Sequence, residues 1–286
     1  MKKRILFIFA ITTLLILTLS VSVFAEDGDK KVADCEFDLI THDSSGNRLV
    51  GVTETNLGNL IADAFRIVLD ADIAYFNGGG IKSHIDAGEI THNELLKVLP
   101  DGNTGVVVEV DGATVLKMLN AAVSKWPGES ESFPHASGIL FFVNVLEESD
   151  EKVYGAKILN PKTGEYDPLE LDKMYTVASN DFILLEGGDG MDMFEGAKVI
   201  SDTGMLDIEV LESYIVKNLG GVIPETYAKG TETYATANTR ITFTEGYATH
   251  SPYTTDGDHA IWIGAIGLAL AIITFTTVMI IRKRNS

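Results

Sequence analysis

Cysteine and basic residues are scarce in this sequence of 286 residues. The single cysteine, Cys35, cannot form an internal disulfide, so we expect a partly buried thiol and a fold held together by its apolar core. The 22 Lys and Arg residues stand against 41 Asp and Glu, which gives a formal net charge of −19. This charge repels nucleic acid polymers and excludes them as expected partners, although an acidic surface is also an ordinary solubility feature of exported proteins. A phosphorylated ligand would therefore need a locally basic or amide-lined pocket.

Long apolar runs occur near both ends of the chain. Basic residues, an apolar run and then small residues lead up to Ala25, an order that predicts a secretory signal peptide over residues 1–25. The apolar run of residues 261–281 is long enough to cross a hydrocarbon core of roughly 30 Å as a helix. Because basic residues follow at 282–286, we expect this tail to stay in the cytoplasm and the part before residue 261 to be extracellular.

The polar stretch of residues 246–260 has two interpretations. It is a linker to a retained transmembrane anchor, or it carries a signal for covalent attachment to the cell wall of a Gram-positive bacterium. Ser251-Pro252-Tyr253-Thr254-Thr255 resembles the pentapeptide of a sortase signal but departs from the common form at its first residue and at its last, where Gly is usual. Both interpretations predict a secreted protein held at the cell surface.

Residues 26–245 contain no low-complexity stretch and no repeat, which fits one domain of ordinary size. Apolar residues recur at helical spacing in three stretches, and β-rich runs lie between them. Helices and strands neither alternate strictly nor form separate blocks, so we predict a mixed α+β domain followed by one transmembrane helix. The predicted helices run from Leu57 to Val68, Leu116 to Val123 and Ile208 to Ile215, and the predicted strands are 73–76, 106–110, 139–145, 175–178 and 240–243, with a turn at 160–164.

The first predicted helix carries an unusual run of polar residues. Thr55 or Asn56 can cap its first turn. Asn56, Asn59, Asp63 and Arg66 then fall on one stripe beside the apolar one. From spacing alone, this stripe is interpreted as a solvated face.

Glycine-rich segments follow two of the predicted strands. The first reads Phe76-Asn77-Gly78-Gly79-Gly80-Ile81-Lys82, and the second reads Asn180-Asp181-Phe182 and, further on, Gly187-Gly188-Asp189-Gly190. Glycines after a strand permit positive φ and let backbone amides approach a ligand closely, but such runs also form plain turns. Two other segments complete the set: Leu99-Pro100-Asp101-Gly102-Asn103-Thr104, and Phe133-Pro134-His135-Ala136-Ser137-Gly138. We expect the last to be architectural and His135 to be a surface or packing residue rather than a catalyst.

Taken in their order along the chain, the five segments resemble the C-terminal, substrate-recognition domain of the 5'-nucleotidase family, a family of hydrolases. The resemblance covers roughly residues 37–244. The resemblance implies that domain's fold and a pocket for a nucleotide or nucleoside. It implies that Asn103 forms hydrogen bonds to the base, that Phe182 stacks on the base and that Asp189 accepts hydrogen bonds from the ribose hydroxyls. The predicted substrate-binding residues are Asn77, Gly79, Lys82, Asn103, Phe182 and Asp189.

The sequence departs from the family pattern at several positions. Lys82 stands where the family has Arg, which keeps the charge but loses the two-pronged fork. Asp101 stands where the family has a second stacking Phe, and the loss of one stacking surface costs on the order of 1–3 kcal/mol. Met191 replaces a common Tyr, and the segment after Phe182 is one residue longer, which would rotate that ring out of the pocket. Arg48 does not fall on the spacing of an expected family arginine.

The family's catalytic centre is not expected in this chain. In the resembled enzymes, a separate N-terminal domain holds two metal ions whose bound water attacks the phosphate. The six histidines here show no ligand spacing, so we expect no catalytic residue, no metal site and no cofactor. Two hypotheses follow. The chain recognises a nucleotide or nucleoside while a separate metallophosphoesterase chain carries the divalent metals, or it is a non-catalytic surface or adhesion module on a degenerate nucleotidase fold.

Overall fold

The computed structural model describes residues 30–228 and 240–246. The predicted signal peptide, nearly all of the predicted linker and the predicted transmembrane segment lie outside these residues. None of the helices within them combines the length and the apolar character that a membrane span requires. Cys35 is fully rather than partly buried: its thiol donates to the carbonyl of Phe37 at 2.9 Å, and burial raises its pKa.

Helices and strands are mixed along the described chain, as the sequence predicts. The elements are β1 (Lys31–Cys35), α1 (Asn56–Val68), β2 (Ile73–Asn77), β3 (Gly88–Thr91), α2 (His92–Val98), β4 (Thr104–Asp111), α3 (Gly112–Val123), β5 (Pro134–Ser137), β6 (Ile139–Asn144), β7 (Val153–Leu159), β8 (Tyr166–Pro168), β9 (Met174–Asn180), α4 (Asp181–Leu184), β10 (Lys198–Leu206), α5 (Asp207–Ser213) and β11 (Ile241–Thr244).

Three sheets organise these strands. The five-stranded sheet has the order β10-β4-β9-β2-β5, the four-stranded sheet has the order β11-β6-β7-β8, and β1 pairs with β3. In the larger sheet β2 and β9 are parallel, and the other neighbours are antiparallel. The five predicted strands and the turn between β7 and β8 are confirmed. The third predicted helix is also present, but after Ser213 it widens into a π-helical turn at Tyr214–Asn218.

The five-stranded sheet is covered on both faces. Along β2, Ala74 and Phe76 pack into an apolar cluster with α1 and α5, whereas Ile73 and Tyr75 pack into a second cluster with α3 and the four-stranded sheet. All five residues of β2 are buried for this reason. A continuous apolar strand is the sequence pattern that two covered faces require.

The polar stripe of α1 is not a solvated face, so the interpretation from spacing alone is wrong. Arg240, at the start of the last described segment, donates to the Asp63 carboxylate at 2.7 Å, and Tyr227 donates to the same oxygen at 2.6 Å. Glu54 accepts from the backbone N–H groups of Arg240 and Ile241 at 2.8 and 2.9 Å. Burial raises the pKa of the Glu54 carboxyl. The stripe therefore forms an internal polar network that ties α1 to β11.

The same network reaches β5. Ser137 donates to Asp63 and accepts from Nε of Arg66 at 2.7 Å, so its hydroxyl links both charged residues of the helix. At the start of α1, Thr55 caps the amide of Gly58, and the buried Asn56 accepts from the amide of Ile40 at 2.8 Å. The segment that contains Ser137 is thus architectural, as expected.

Removal of the Arg240 guanidinium would leave the carboxylates of Asp63 and Glu54 inside the protein without their cation. Because an uncompensated buried charge is strongly destabilising, we expect Arg240→Ala to lower the free energy of unfolding by about 3–5 kcal/mol in urea denaturation. Lys198→Ala is the matched control, since Lys198 lies 2.8 Å from Glu109 but is exposed. That pair should contribute less than about 1 kcal/mol. Equal losses in the two variants would contradict a stabilising role for the network.

Candidate functional site

The parallel pairing of β2 with β9 brings two strand ends together. Asn77 ends β2 and Asn180 ends β9, and both side chains are buried. Since β4 runs antiparallel to β9, with Gly105 opposite Asn180, the beginning of β4 lies at the same end of the sheet. Loops that follow the carboxyl ends of parallel strands are common places for ligand binding.

Asn77 and Asp189 are in direct contact at this end of the sheet. The Asn77 side chain donates to one oxygen of Asp189 at 2.7 Å and accepts from Asn180 at 3.4 Å. Asp189 has a φ of 55°, in the left-handed region that Asp tolerates better than most residues, and Gly187 and Gly190 beside it also have positive φ. The Asn77 contact therefore fixes the carboxylate within a tightly turned loop.

Phe182 belongs to the same loop cluster. It lies in the first turn of α4, where Asn180 accepts from the amide of Ile183 at 3.0 Å. Its partly exposed ring packs so closely on Gly188 that a Cβ at that position would collide with it. The extra residue in this segment has therefore not separated the ring from the loop that carries Asp189.

Asn103 approaches the site from β4. Thr104 donates to the Asp181 carboxylate through its amide at 3.0 Å and its hydroxyl at 2.9 Å. These contacts place Asn103 and Phe182 in neighbouring segments, each next to one residue of the bonded pair. The Asn103 carbonyl accepts from the amide of Asp207 at 2.8 Å, while its half-buried side chain makes no hydrogen bond to another described residue.

The glycine segment after β2 is a plain turn, one of the two forms that the sequence allows. Gly78–Gly80 forms one turn of 3-10 helix, and none of the three has positive φ. The amides of Gly78 and Gly79 donate to the carbonyls of Phe133 and Glu131, both at 2.8 Å. A Cβ on Gly78 would collide with the carbonyl of Val50. Close packing of backbone against backbone therefore requires the glycines.

Lys82 lies in front of this turn. Its ammonium donates to the carbonyl of Gly79 at 2.6 Å and lies 3.2 Å from the carboxylate of Asp101. Both side chains of the ion pair are exposed. Asp101, at the position of the family's stacking Phe, thus neutralises the cation beside it.

Arg48 reaches the same turn even though its sequence spacing does not fit the family pattern. One terminal nitrogen of its guanidinium donates to the carbonyls of Gly78 and Ile81 at 2.8 and 3.1 Å. The other lies 3.3 Å from carboxylate oxygens of both Glu129 and Glu131. Sequence reasoning missed these two glutamates because no motif marks them and they are some eighty positions from Arg48 in the chain.

A further carboxyl group lies behind Asn103. Asp207 is buried at the start of α5, where its carboxylate accepts from the amide of Ile208 at 2.7 Å. Burial, and then the neighbouring carboxylates of Asp101 and Asp181, raise the pKa of Asp207 to about 7. Burial is the larger cause of this shift, and the two carboxylates add to it. The sequence carried no signal for the burial of Asp207, because this burial depends on the packing of α5 against β4.

All six predicted site residues lie at this end of the five-stranded sheet. Asn77 contacts Asp189, and Phe182 packs on the Asp189 loop. Asn103 precedes Thr104, which bonds to Asp181 beside Phe182. Gly79 and Lys82 belong to the turn that follows Asn77. Met191 is fully buried and serves the core. Within residues 30–228 and 240–246, no cluster of three or more His, Cys, Asp or Glu side chains is arranged to hold a metal ion.

His135 lies behind the site and is a packing residue rather than a surface one. It is fully buried on β5, opposite Phe76, and its Nε2 is 3.1 Å from the carbonyl of Val50. Its Nδ1 has no hydrogen-bond partner among the described residues, and it lies so close to Gly58 that a Cβ there would collide with it. Burial lowers the pKa of His135 from 6.5 to about 4.

Comparisons with known proteins agree on one family. The model of the 5'-nucleotidase C-terminal domain matches residues 38–196. Protein 5NUC of Lutzomyia longipalpis is 36% identical over 213 residues, which cover 63% of this chain and 37% of that protein. The trifunctional nucleotide phosphoesterase protein YfkN of Bacillus subtilis is 35% identical over 178 residues, covering 61% of this chain and 12% of that protein.

The solved structure of a 5'-nucleotidase precursor from Thermus thermophilus superposes with a TM-score of 0.65 at 30% identity. The match covers 82% of this chain and 43% of that one. The chain thus spans less than half the length of each of these three relatives.

The burial of His135 predicts a dependence of stability on pH. The unfolded chain takes up a proton at this histidine near pH 6.5, whereas the folded chain does so only near pH 4. The stabilisation is complete above pH 6.5 and is lost as the pH falls, by about 2–3 kcal/mol between pH 7 and 4.5. His135→Gln should remove this part of the pH dependence of urea unfolding, and His84→Gln, at an exposed position, should not. Parallel pH curves for the wild type and His135→Gln would contradict the prediction.

Proposed function

The chain belongs to the 5'-nucleotidase C-terminal domain family, and from this premise we propose that it recognises a nucleoside or nucleotide outside the cell, as part of a nucleotide-degrading system. The contact between Asn77 and Asp189 carries the proposal. It fixes a carboxylate next to the one partly exposed aromatic ring that packs on the same loop. A nucleoside needs that combination, since its base is a flat ring and its ribose carries neighbouring hydroxyls.

The base would bind between Phe182 and Asn103. The partly exposed Phe182 ring offers a stacking face, and stacking of a base on an aromatic side chain contributes about 1–3 kcal/mol. Asn103 lies in the neighbouring segment, and among the described residues its side-chain amide has no hydrogen-bond partner, so it can bond to the base edge. Because Asp101 takes the place of a second ring, we expect one stacking wall and weak binding.

The ribose would bind at Asp189. Among the described residues, only Asn77 donates to this carboxylate, and it does so to one of the two oxygens. The other oxygen can accept from a ribose hydroxyl. Hydrogen bonds to a charged acceptor are stronger than those between neutral groups, so Asp189 would contribute more than a neutral side chain could.

Hydrolysis would require a separate chain. The matched relatives include a 5'-nucleotidase precursor and a nucleotide phosphoesterase, and both extend well beyond the part that this chain matches. We propose that a metallophosphoesterase chain supplies the divalent metals and the attacking water, while this chain positions the nucleoside end of the substrate. A surface-binding module is the second candidate, favoured by the ion pair between Asp101 and Lys82 where the family has an aromatic residue and an arginine.

Calorimetric titration of the full chain in mild detergent tests the recognition site. We expect adenosine to bind with a dissociation constant in the micromolar to millimolar range, and Phe182→Ala to weaken binding about ten- to a hundredfold because the stacking face is lost. Phe142→Ala is the matched control, since this exposed ring stacks on Tyr154 in the other sheet. No binding at millimolar adenosine would refute nucleoside recognition and leave the surface module as the better hypothesis.

Phosphate release from AMP tests the division of labour. The purified chain alone should release no phosphate with Mg²⁺, Mn²⁺ or Zn²⁺. Addition of a separately produced metallophosphoesterase chain from the same organism should give activity that exceeds the activity of that partner alone and falls in Phe182→Ala. Strong metal-dependent hydrolysis by the chain alone would contradict the proposal, and so would the lack of a gain with every candidate partner.

A further inference from the structure

The backbone amides of the glycine turn are already engaged. Gly78 donates to Phe133, Gly79 to Glu131, Ile81 to Gly78 and Lys82 to Val98, with distances between 2.8 and 3.2 Å. A phosphate held by a glycine-rich turn needs several N–H groups that point at it and are free to donate. The turn at the end of β2 therefore does not offer the amide cradle that a phosphorylated ligand requires.

The Arg48 guanidinium is also fully engaged at both terminal nitrogens. The nitrogen that donates to Gly78 and Ile81 is held by backbone carbonyls, and the other faces Glu129 and Glu131. A phosphate could form the usual two-pronged contact with this arginine only by displacing these carboxylates. Glu131 is held in place because its side chain lies directly over Gly79, where a Cβ would collide with it.

The carboxylates around the glycine turn outnumber the cations. Arg48 and Lys82 face Glu129, Glu131 and Asp101, and Asp189 adds a fourth carboxylate at the end of β2. Asp101 and Asp181 also raise the pKa of Asp207, although burial is the larger cause, so these two carboxylates add to the negative charge near Asn103. Among the described residues, the surroundings of the glycine turn are therefore not basic, and four of its backbone amides are already engaged.

From these contacts, and resting on the proposed function, we infer that the pocket selects the uncharged nucleoside over its phosphorylated nucleotide, with Glu131 and Asp101 as the residues that determine this specificity. Both carboxylates hold a cation that a phosphate would otherwise use. Both also repel a phosphate group directly. The preferred ligand of the chain by itself is therefore a neutral nucleoside, in which a stacking base and ribose hydroxyls supply the contacts. A nucleotide would bind more weakly, through the same nucleoside end, with its phosphate held by the partner chain.

Three ligands separate charge from size: adenosine, AMP, and the dimethyl ester of AMP, which has similar bulk but no charge. For the full chain in mild detergent, we expect adenosine and the ester to bind within a few-fold of each other and AMP to bind at least about tenfold more weakly. Glu131→Gln and Asp101→Asn should each improve AMP binding by about three- to tenfold and change adenosine binding by less than about twofold. Both side chains are exposed, so the variants should fold.

Glu165→Gln is the matched control, because the substitution changes the net charge by the same amount. The exposed Glu165 carboxylate lies in the turn before β8, in the four-stranded sheet. Added salt should strengthen AMP binding, because it screens repulsion, whereas a phosphate-attracting pocket would lose affinity. AMP binding as tight as adenosine, weakened by salt, would overturn the inference and leave nucleotide recognition intact. The absence of binding by all three ligands would refute the proposed function and this inference with it.

Discussion

Parallel pairing of β2 with β9 is the constraint on which the candidate site depends. The two strands are far apart in sequence, yet their register places Ala74 opposite Ala178, so Asn77 and Asn180 end side by side. The segments that carry the predicted site residues are positioned by these two strand ends. The glycine turn continues from one, the loop with Phe182 and Asp189 continues from the other, and the antiparallel register of β4 with β9 brings Asn103 to the same place. A shift of one residue in the pairing of β2 with β9 would send the Asn77 side chain to the other face of the sheet.

The helix α1 explains why the family resemblance of the sequence can be clear while the identity of the ligand is not. Its polar residues do not face a ligand: Asp63, Arg66 and Asn59 bond to Arg240, Ser137 and Glu54 inside the protein. Most polar groups of this network are paired, and only Oδ1 of Asn59 has no partner among the described residues. The pairing matters because each unpaired buried group carries a desolvation cost. The motif that is easiest to recognise in the sequence is therefore a signature of the fold. It carries no information about what the pocket binds.

The sequence was informative where a pattern is local and poor where a contact spans the chain. Apolar periodicity predicted the three main helices and five strands, whereas β1, β3, β5 and β10 were missed because they are short or carry no clear alternation. The capping box of α2, with Thr91 and Glu94, is a local signal that could have revealed that helix. The six site residues came from resemblance, and the structure places them at one end of the sheet. The partners of Arg48 could not be predicted, since Glu129 and Glu131 approach it only through the packing of the segment before β5.

The glycine turn shows why fold and ligand can change independently. Gly78 is required because Val50 packs against it, and Gly79 is required because the backbone and side chain of Glu131 pack against it. A substitution at either glycine would disturb the backbone whether or not a ligand binds. Asp101, Glu131 and Lys82, in contrast, are exposed side chains, and exchange of their charges would cost little stability. Selection for folding alone can therefore preserve the glycines while the charges around them change. The kind of ligand must be inferred from those charges, and here the carboxylates outnumber the cations.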